Sequence, residues 1–269
     1  MALVPGDPFD TREYGIELAT TPVAVKAGVP MTMLLTVRHP GTHDLVRDFE
    51  VVHEKRYHLF VVSRDMEFFE HIHPEQLPDG RWTVQTTLPR AGDYRILSDF
   101  LPTGGSPQFI GRTLETVDFT GDLESQAPRL MPDVDVTKTV GSVTAHLELE
   151  PAPLVEGQFA HLAFTLTDAT SSRPVTDLHP YLGAFGHALI LSEDMRDYVH
   201  SHPFEDIDAS KTSGGPTVTF EGYMPKAGRY RAWSQFQRNG EVITIPFTVN
   251  VLTLDQAYRN PGAAAGDLR

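Results

Sequence analysis

The chain has 269 residues, 40% of them hydrophobic, and it contains no cysteine, so disulfide bonds and thiolate metal ligands are excluded. Its formal net charge of −14 argues against nucleic acid and anionic membrane surfaces as partners and favours a cation. No stretch approaches the roughly 20 apolar residues of a membrane span, and we expect no span. The first eight residues lack a basic region followed by an apolar one, so we expect no signal peptide in this chain.

The predicted elements are short alternating or apolar runs between turn clusters, which is typical of β-strands. In chain order they are residues 31–37, 57–62, 82–88, 94–100, 160–166, 187–191, 217–223 and 230–236. Helical periodicity is confined to single turns near Asp65 and Asp194. The pattern therefore predicts an all-β chain.

The sequence repeats itself at a shift of 129 residues, which superposes short motifs without a gap over about sixty residues. Asp65-Met66 then lies on Asp194-Met195, and three histidines of the first copy lie on three of the second. After a seven-residue insertion in the second copy, a Pro-x-Ala-Gly-x-Tyr-Arg motif also recurs, at 89–95 and 225–231. The chain is a tandem repeat.

The repeat sets the predicted domains. The segment 121–139 carries one glycine, two prolines and four acidic residues and is interpreted as a linker. We predict two tandem antiparallel β-sandwich domains of immunoglobulin or cupredoxin type, at 10–120 and 140–254, followed by a tail at 255–269.

The sequence of the first copy predicts a hairpin that brings His58, His71 and His73 close together. The run 57–63 enters a turn at 64–67 and returns through 69–73. If paired residue numbers sum to 131, His58 faces His73 and Phe60 faces His71, so all three imidazoles share one face. Opposed Cβ atoms are about 5 Å apart, which lets imidazoles meet one metal ion at about 2.0–2.1 Å.

The second copy repeats the pattern with His187, His200 and His202. A fourth position is expected on the strand after the Ala-Gly turn, where Asp99 of the first copy corresponds to Gln235. An aspartate there could ligate the metal or accept a ring N–H, whereas a glutamine does either only weakly. The alternative interpretation is a structural histidine triad that was duplicated with the domain.

Imidazole with an optional carboxylate suits Cu(II), Zn(II), Ni(II) or Fe(II), and the Irving–Williams order favours copper, with zinc and iron as alternatives. Met66 and Met195 are expected to pack in turns rather than to bind metal. The histidines that are not duplicated are interpreted as exposed or locally hydrogen-bonded, with His179 the one expected nearest a site; they are His39, His43, His53, His146, His161 and His179.

Several motifs resemble a bacterial group of secreted or periplasmic β-sandwich domains: Pro-Tyr-Leu-Gly-Ala-Phe-Gly-His at 180–187, His-Ser-His-Pro at 200–203 and Trp-Ser-Gln-Phe-Gln-Arg at 233–238. The first copy, with His-Ile-His-Pro at 71–74, resembles domains related to YtkA-like and FixH-like folds that accompany heavy-metal-binding modules. The resemblance implies copper handling at the cell envelope, a periplasmic or secreted location and an envelope protein partner. It covers most of both copies and carries over to the six repeated histidines.

Three functions are consistent with these patterns. The first is a metal-binding protein for sequestration or delivery of copper. The second is a mononuclear metalloenzyme, hydrolytic or oxygen-activating, with its site in the first copy and Asp99, Glu70 or Glu75 as acid or base. The third is a structural envelope adaptor.

Overall fold

A computed structural model describes residues 12–203 and 213–259 of the chain. The chain divides into two compact units, residues 1–128 and 129–269, and the division falls inside the predicted linker. Residues 1–8, on which the expectation about a signal peptide rests, lie outside the described residues. The predicted insertion lies between residues 203 and 225 and is only partly described.

The first unit is a sandwich of two four-stranded antiparallel sheets, with strand orders β1-β2-β6-β5 and β4-β3-β7-β8. Its strands are β1 (Gly15–Thr21), β2 (Met31–Arg38), β3 (His58–Ser63), β4 (Phe69–Ile72), β5 (Glu75–Gln76), β6 (Trp82–Thr86), β7 (Asp93–Phe100) and β8 (Gln108–Glu115). Alternate side chains of both sheets meet in one apolar core that includes Met33, Leu35, Leu59 and Val61.

The second unit has the same plan with extra short strands. Its strands are β9 (Thr137–Val140), β10 (Val143–Glu150), β11 (Leu154–Val155), β12 (Gln158–Asp168), β13 (Leu178–His179), β14 (His187–Ser192), β15 (Tyr198–Ser201), β16 (Thr217–Met224), β17 (Gly228–Arg238) and β18 (Glu241–Leu252). One sheet has the order β16-β12-β10-β9; the other has β11-β18-β17-β14-β15, and β13 also pairs with β17. All described pairs are antiparallel except β11 with β18.

The structure confirms the all-β prediction, and each of the eight predicted runs coincides with a strand. A shift of 129 residues places β3 on β14 and β4 on β15, residue for residue. A hydrogen bond across the Ala-Gly turn also recurs in both units. The Tyr94 hydroxyl donates to Arg90 O at 2.8 Å, and the Tyr230 hydroxyl donates to Lys226 O at 2.9 Å. The two units are therefore tandem copies of one β-sandwich.

One short helix, α1 (Leu254–Arg259), was not expected from the sequence. Thr253 caps it, because the Gln256 N–H donates to the Thr253 hydroxyl at 3.1 Å and the Gln256 side chain accepts from the Thr253 N–H at 2.9 Å. The helix occupies the beginning of the predicted tail, and residues 260–269 of that tail lie outside the described residues. None of the α1 side chains is buried.

Candidate functional site

The hairpin β3–β4 brings the first three histidines to one face of its sheet. Its register pairs Phe60 with His71 and Leu59 with Ile72, as the sequence predicted. Leu59 belongs to the core cluster, so His58, Phe60 and His71 lie on the opposite face of the sheet from that core. The ring of His71 stacks on Phe60 with a centroid separation of 4.4 Å.

The three imidazoles of the first unit are in mutual contact. His58 Nδ1 lies 3.2 Å from His71 Nε2. The His73 ring centroid lies 5.0 Å from that of His58 and 4.6 Å from that of His71. Two nitrogens on a tetrahedral metal, at bond lengths of 2.0–2.1 Å, are about 3.3 Å apart. The His58–His71 pair therefore already has the spacing of two ligands of one ion.

A backbone carbonyl sets the tautomer of His58. Its Nε2–H donates to Val52 O at 2.9 Å, so in the neutral ring Nδ1 is the atom with a lone pair, and it points toward His71. Burial lowers the pKa of His58, with the Val52 carbonyl and the charge of Asp99 acting in the opposite direction. A neutral ring whose other N–H is held by a carbonyl is the usual form of a metal-ligating histidine.

The second unit repeats the arrangement on the hairpin β14–β15, where Leu189 pairs with His200. One ligand atom from each of His187, His200 and His202 lies within 4.8 Å of the other two. The His202 ring centroid is 4.4 Å from that of His187 and 4.8 Å from that of His200. These separations allow modest side-chain rotation to bring all three nitrogens onto one ion.

The carbonyl that holds His58 has a counterpart in the second unit, where His187 Nε2–H donates to Tyr181 O at 2.8 Å. Each carbonyl belongs to the first residue of a tight turn closed by two backbone hydrogen bonds, Val52–Lys55 and Tyr181–Ala184. Both central residues of each turn have positive φ, which defines a type I′ turn. Sequence reasoning missed these turns, although the Leu-Gly pair at 182–183 was a signal for the second.

The fourth predicted position lies directly beside the histidines. Asp99 on β7 is the cross-strand partner of His58, and Gln235 on β17 is the partner of His187. Burial raises the pKa of Asp99 to about 6, and the nearby His58 and His53 counteract that rise. The Gln235 amide instead donates to the Thr244 hydroxyl at 3.0 Å. The two sites thus share a triad and differ in the fourth group.

The other candidate acid–base residues lie elsewhere. Glu70 precedes His71 on β4, so it lies on the opposite face of the strand, and it accepts a hydrogen bond from the Thr86 hydroxyl. Glu75 lies on β5 and is exposed. Neither carboxylate lies on the histidine face of the hairpin, which leaves Asp99 as the predicted acid–base candidate beside the triad.

The histidines that are not duplicated follow the expectation with one addition. His39 Nδ1 accepts from the Gly41 and Thr42 N–H groups, each at 3.2 Å, and His146 bonds the Thr137 hydroxyl. His53 is half-buried, however, with its ring centroid 6.3 Å from that of His58. His179, which was expected nearest a site, is an exposed residue on β13.

Fold and geometry define a chain of two β-sandwich domains, each with a histidine triad on a hairpin. Family comparison gives its membership: a model described as "Domain of unknown function (DUF8832)" matches residues 10–117 and 138–253, so the chain belongs to that family. The two matched ranges correspond to the two copies. No curated protein matches the chain significantly.

Among solved structures, the chain is similar to the Escherichia coli adhesin FdeC, with 14% identity, a TM-score of 0.29 and coverage of 90% of this chain and 66% of that one. Yersinia pseudotuberculosis InvD gives 14% identity, a TM-score of 0.27 and coverage of 88% and 57%. Domains 4 and 5 of the S-layer protein SbsC give 13% identity, a TM-score of 0.23 and coverage of 90% and 100%. The chain thus spans less than two thirds of the first two structures, and these similarities are too weak to carry an argument about function.

Within residues 12–203 and 213–259, no helix has the length and apolar character needed to cross a bilayer.

Proposed function

We propose that the protein binds one divalent transition-metal ion in each unit, copper(II) before zinc or iron, and that it sequesters or delivers this metal at the cell envelope. The observation that carries the proposal is the His58 and His187 tautomer. In both copies Nε2–H is held by a turn carbonyl, at 2.9 and 2.8 Å, so in the neutral ring Nδ1 is the nitrogen that carries the lone pair. That hydrogen bond is the outer-sphere support typical of metal-bound imidazole.

The donor set supports copper. Three imidazoles of intermediate softness bind Cu(II) more tightly than the other first-row divalent ions, and the absence of cysteine removes the usual ligand for Cu(I). The formal charge of −14 concentrates cations near the surface. The envelope location, periplasmic or secreted, and an envelope partner protein rest on the resemblance to metal-associated β-sandwich domains.

Copper content of protein purified without a histidine tag and dialysed against Cu(II) tests this proposal. We expect two equivalents for the wild type and one for H71A/H73A, because a three-histidine site does not survive the loss of two ligands. The matched variant H200A/H202A should also retain one. Far-ultraviolet circular dichroism should show that both variants fold. Uptake near zero by the folded wild type would defeat the proposal, and unfolding of the variants would support a structural triad instead.

A metalloenzyme is the second candidate function, and Asp99 is the observation that favours it. A three-histidine metal leaves an open coordination position, and Asp99 stands beside His58 as an acid–base group. Hydrolysis of an activated ester by the zinc-loaded protein, lost in D99N at unchanged zinc content, would support it. Equal rates for the loaded and metal-free proteins would exclude this activity.

A further inference from the structure

The two units differ at two positions that flank the same triad. Asp99 and Gln235 are the cross-strand partners of His58 and His187. His53 and Leu182 each follow directly the residue whose carbonyl holds that histidine. A backbone that is common to both copies therefore presents a carboxylate and an imidazole in the first unit, and an amide and an aliphatic chain in the second.

His53 is held near the first site by its turn. It is the first central residue of Val52–Lys55, with φ of 50°, and the turn is closed by hydrogen bonds of 2.8 and 3.1 Å between its end residues. Its ring lies 6.3 Å from that of His58, centroid to centroid. The negative charge of Asp99 raises the pKa of His53 against the larger lowering by burial, so the carboxylate is within electrostatic reach of both rings.

Strain in this turn adds a second observation. Positive φ is uncommon outside glycine, although asparagine, aspartate and histidine adopt it several times more often than other residues, and strained backbone tends to occur at functional sites. At the equivalent position Leu182 adopts φ of 52° but is 8% exposed, so burial of its apolar side chain accounts for its presence. His53 is half-buried and polar, and a site beside it explains the choice of imidazole better than packing does.

The strand next to Asp99 also differs from its counterpart. Gln235 pairs with Thr244, whose hydroxyl accepts the hydrogen bond of the glutamine amide. Asp99 pairs with Phe109, which has no hydroxyl to donate to the carboxylate. The neighbouring strand therefore places a hydroxyl beside the fourth group of the second unit and an aromatic ring beside that of the first.

We infer that Asp99 and His53 complete the coordination of the first site, which then has up to five donors and binds a divalent cation much more tightly than the three-histidine site of the second unit. This inference rests on the proposed function. A carboxylate cancels part of the charge of the ion, and a fourth imidazole adds a ligand of the type already present. Loss of a single outer-sphere partner already costs about 10–100-fold in metal affinity, so for two added ligands we expect a difference of about 100-fold or more between the sites.

The test measures each site alone, with Zn²⁺ as the probe and a chelating indicator as competitor. The first site is measured in the H200A/H202A background and the second in the H71A/H73A background. In the first background the substitution His53→Leu together with Asp99→Gln copies the second unit and should weaken zinc binding about 100-fold. His43→Leu is the matched control, because His43 is an exposed histidine of the same unit with φ of 61°; it should leave the affinity unchanged.

The reciprocal substitutions use the second background, where Leu182→His with Gln235→Asp should tighten zinc binding about 100-fold. Equal zinc affinities in the two parent backgrounds would overturn the inference while leaving the proposed function intact. No zinc binding in either background would instead defeat the proposed function. If the Leu182→His chain fails to fold, the first background decides by itself: an unchanged affinity after His53→Leu and Asp99→Gln contradicts the inference.

Discussion

Zinc binding should raise the unfolding temperature of the first unit by an amount that follows from the binding free energy and the size of the unit. An ion at a concentration 100 times its dissociation constant, bound by the folded state alone, contributes about 2.7 kcal/mol. The first unit comprises residues 1–128. At about 2.1 cal/mol/K per residue, its unfolding entropy near the midpoint is about 0.27 kcal/mol/K. The unfolding temperature of this unit should therefore rise by about 10 °C on saturation, and H71A/H73A should abolish the rise.

The two tryptophans allow the units to be followed separately. Trp82 lies in the first unit and Trp233 in the second, and both are 3% exposed. Thermal unfolding of W233F, monitored by tryptophan fluorescence, therefore reports the first unit. An equal zinc-induced rise in W233F and in W233F/H71A/H73A would refute the reasoning, because the stabilising ion would then be bound somewhere other than the triad.

Three further predictions concern packing, charge and backbone strain. Phe164 has a fully buried ring that contacts three other phenylalanines. Phe164→Ala should therefore lower the unfolding free energy of the second unit, measured by urea titration, by about 3–5 kcal/mol, and a loss below about 1 kcal/mol would contradict the packing described. The Ser171 N–H and the Arg238 guanidinium hold the pKa of Asp168 below its usual range, so its stabilisation is present above that range and lost as the pH falls through the lowered pKa. Asp168→Asn should therefore lower the urea midpoint of unfolding at about pH 6, and the difference in midpoint from wild type should shrink toward about pH 2. A difference in midpoint that does not change with pH would contradict this role of Asp168. Glu54→Gly, at φ of 63°, should raise the stability of the first unit by about 0.5–1 kcal/mol, and a loss of stability would show that the turn is unstrained.

Much of the fold was predictable because successive side chains of a strand point to opposite faces of the sheet, and because each sequence pattern occurs in both copies. The pairing of Phe60 with His71 followed from hairpin parity, and the same parity placed His200 opposite Leu189. The repeat also placed Asp99 and Gln235 at equivalent positions beside the triads. The sequence pattern could not predict the distances between the imidazole rings, because side-chain rotamers depend on packing against the rest of the unit.

The turns beside the triads were not predictable for a local reason. His53 and Glu54 carry no signature of a type I′ turn, which ordinarily requires glycine, asparagine or aspartate. The surrounding strands impose positive φ on both residues. His53 was therefore interpreted as an exposed or locally hydrogen-bonded histidine, although its turn places it beside His58. The six-residue helix α1 is likewise too short to produce a periodic signal.

Anomalous diffraction at the zinc edge, from crystals grown with Zn²⁺, tests the central claim most directly. We expect one zinc peak in each unit, bonded at about 2.0–2.1 Å to the three histidines of its triad, with Nδ1 as the ligand atom of His58 and of His187. The turn carbonyls should keep their hydrogen bonds to Nε2 of the same rings. Crystals of the folded protein with no zinc between the histidines of either hairpin would contradict the account, as would coordination through Nε2 of these two residues.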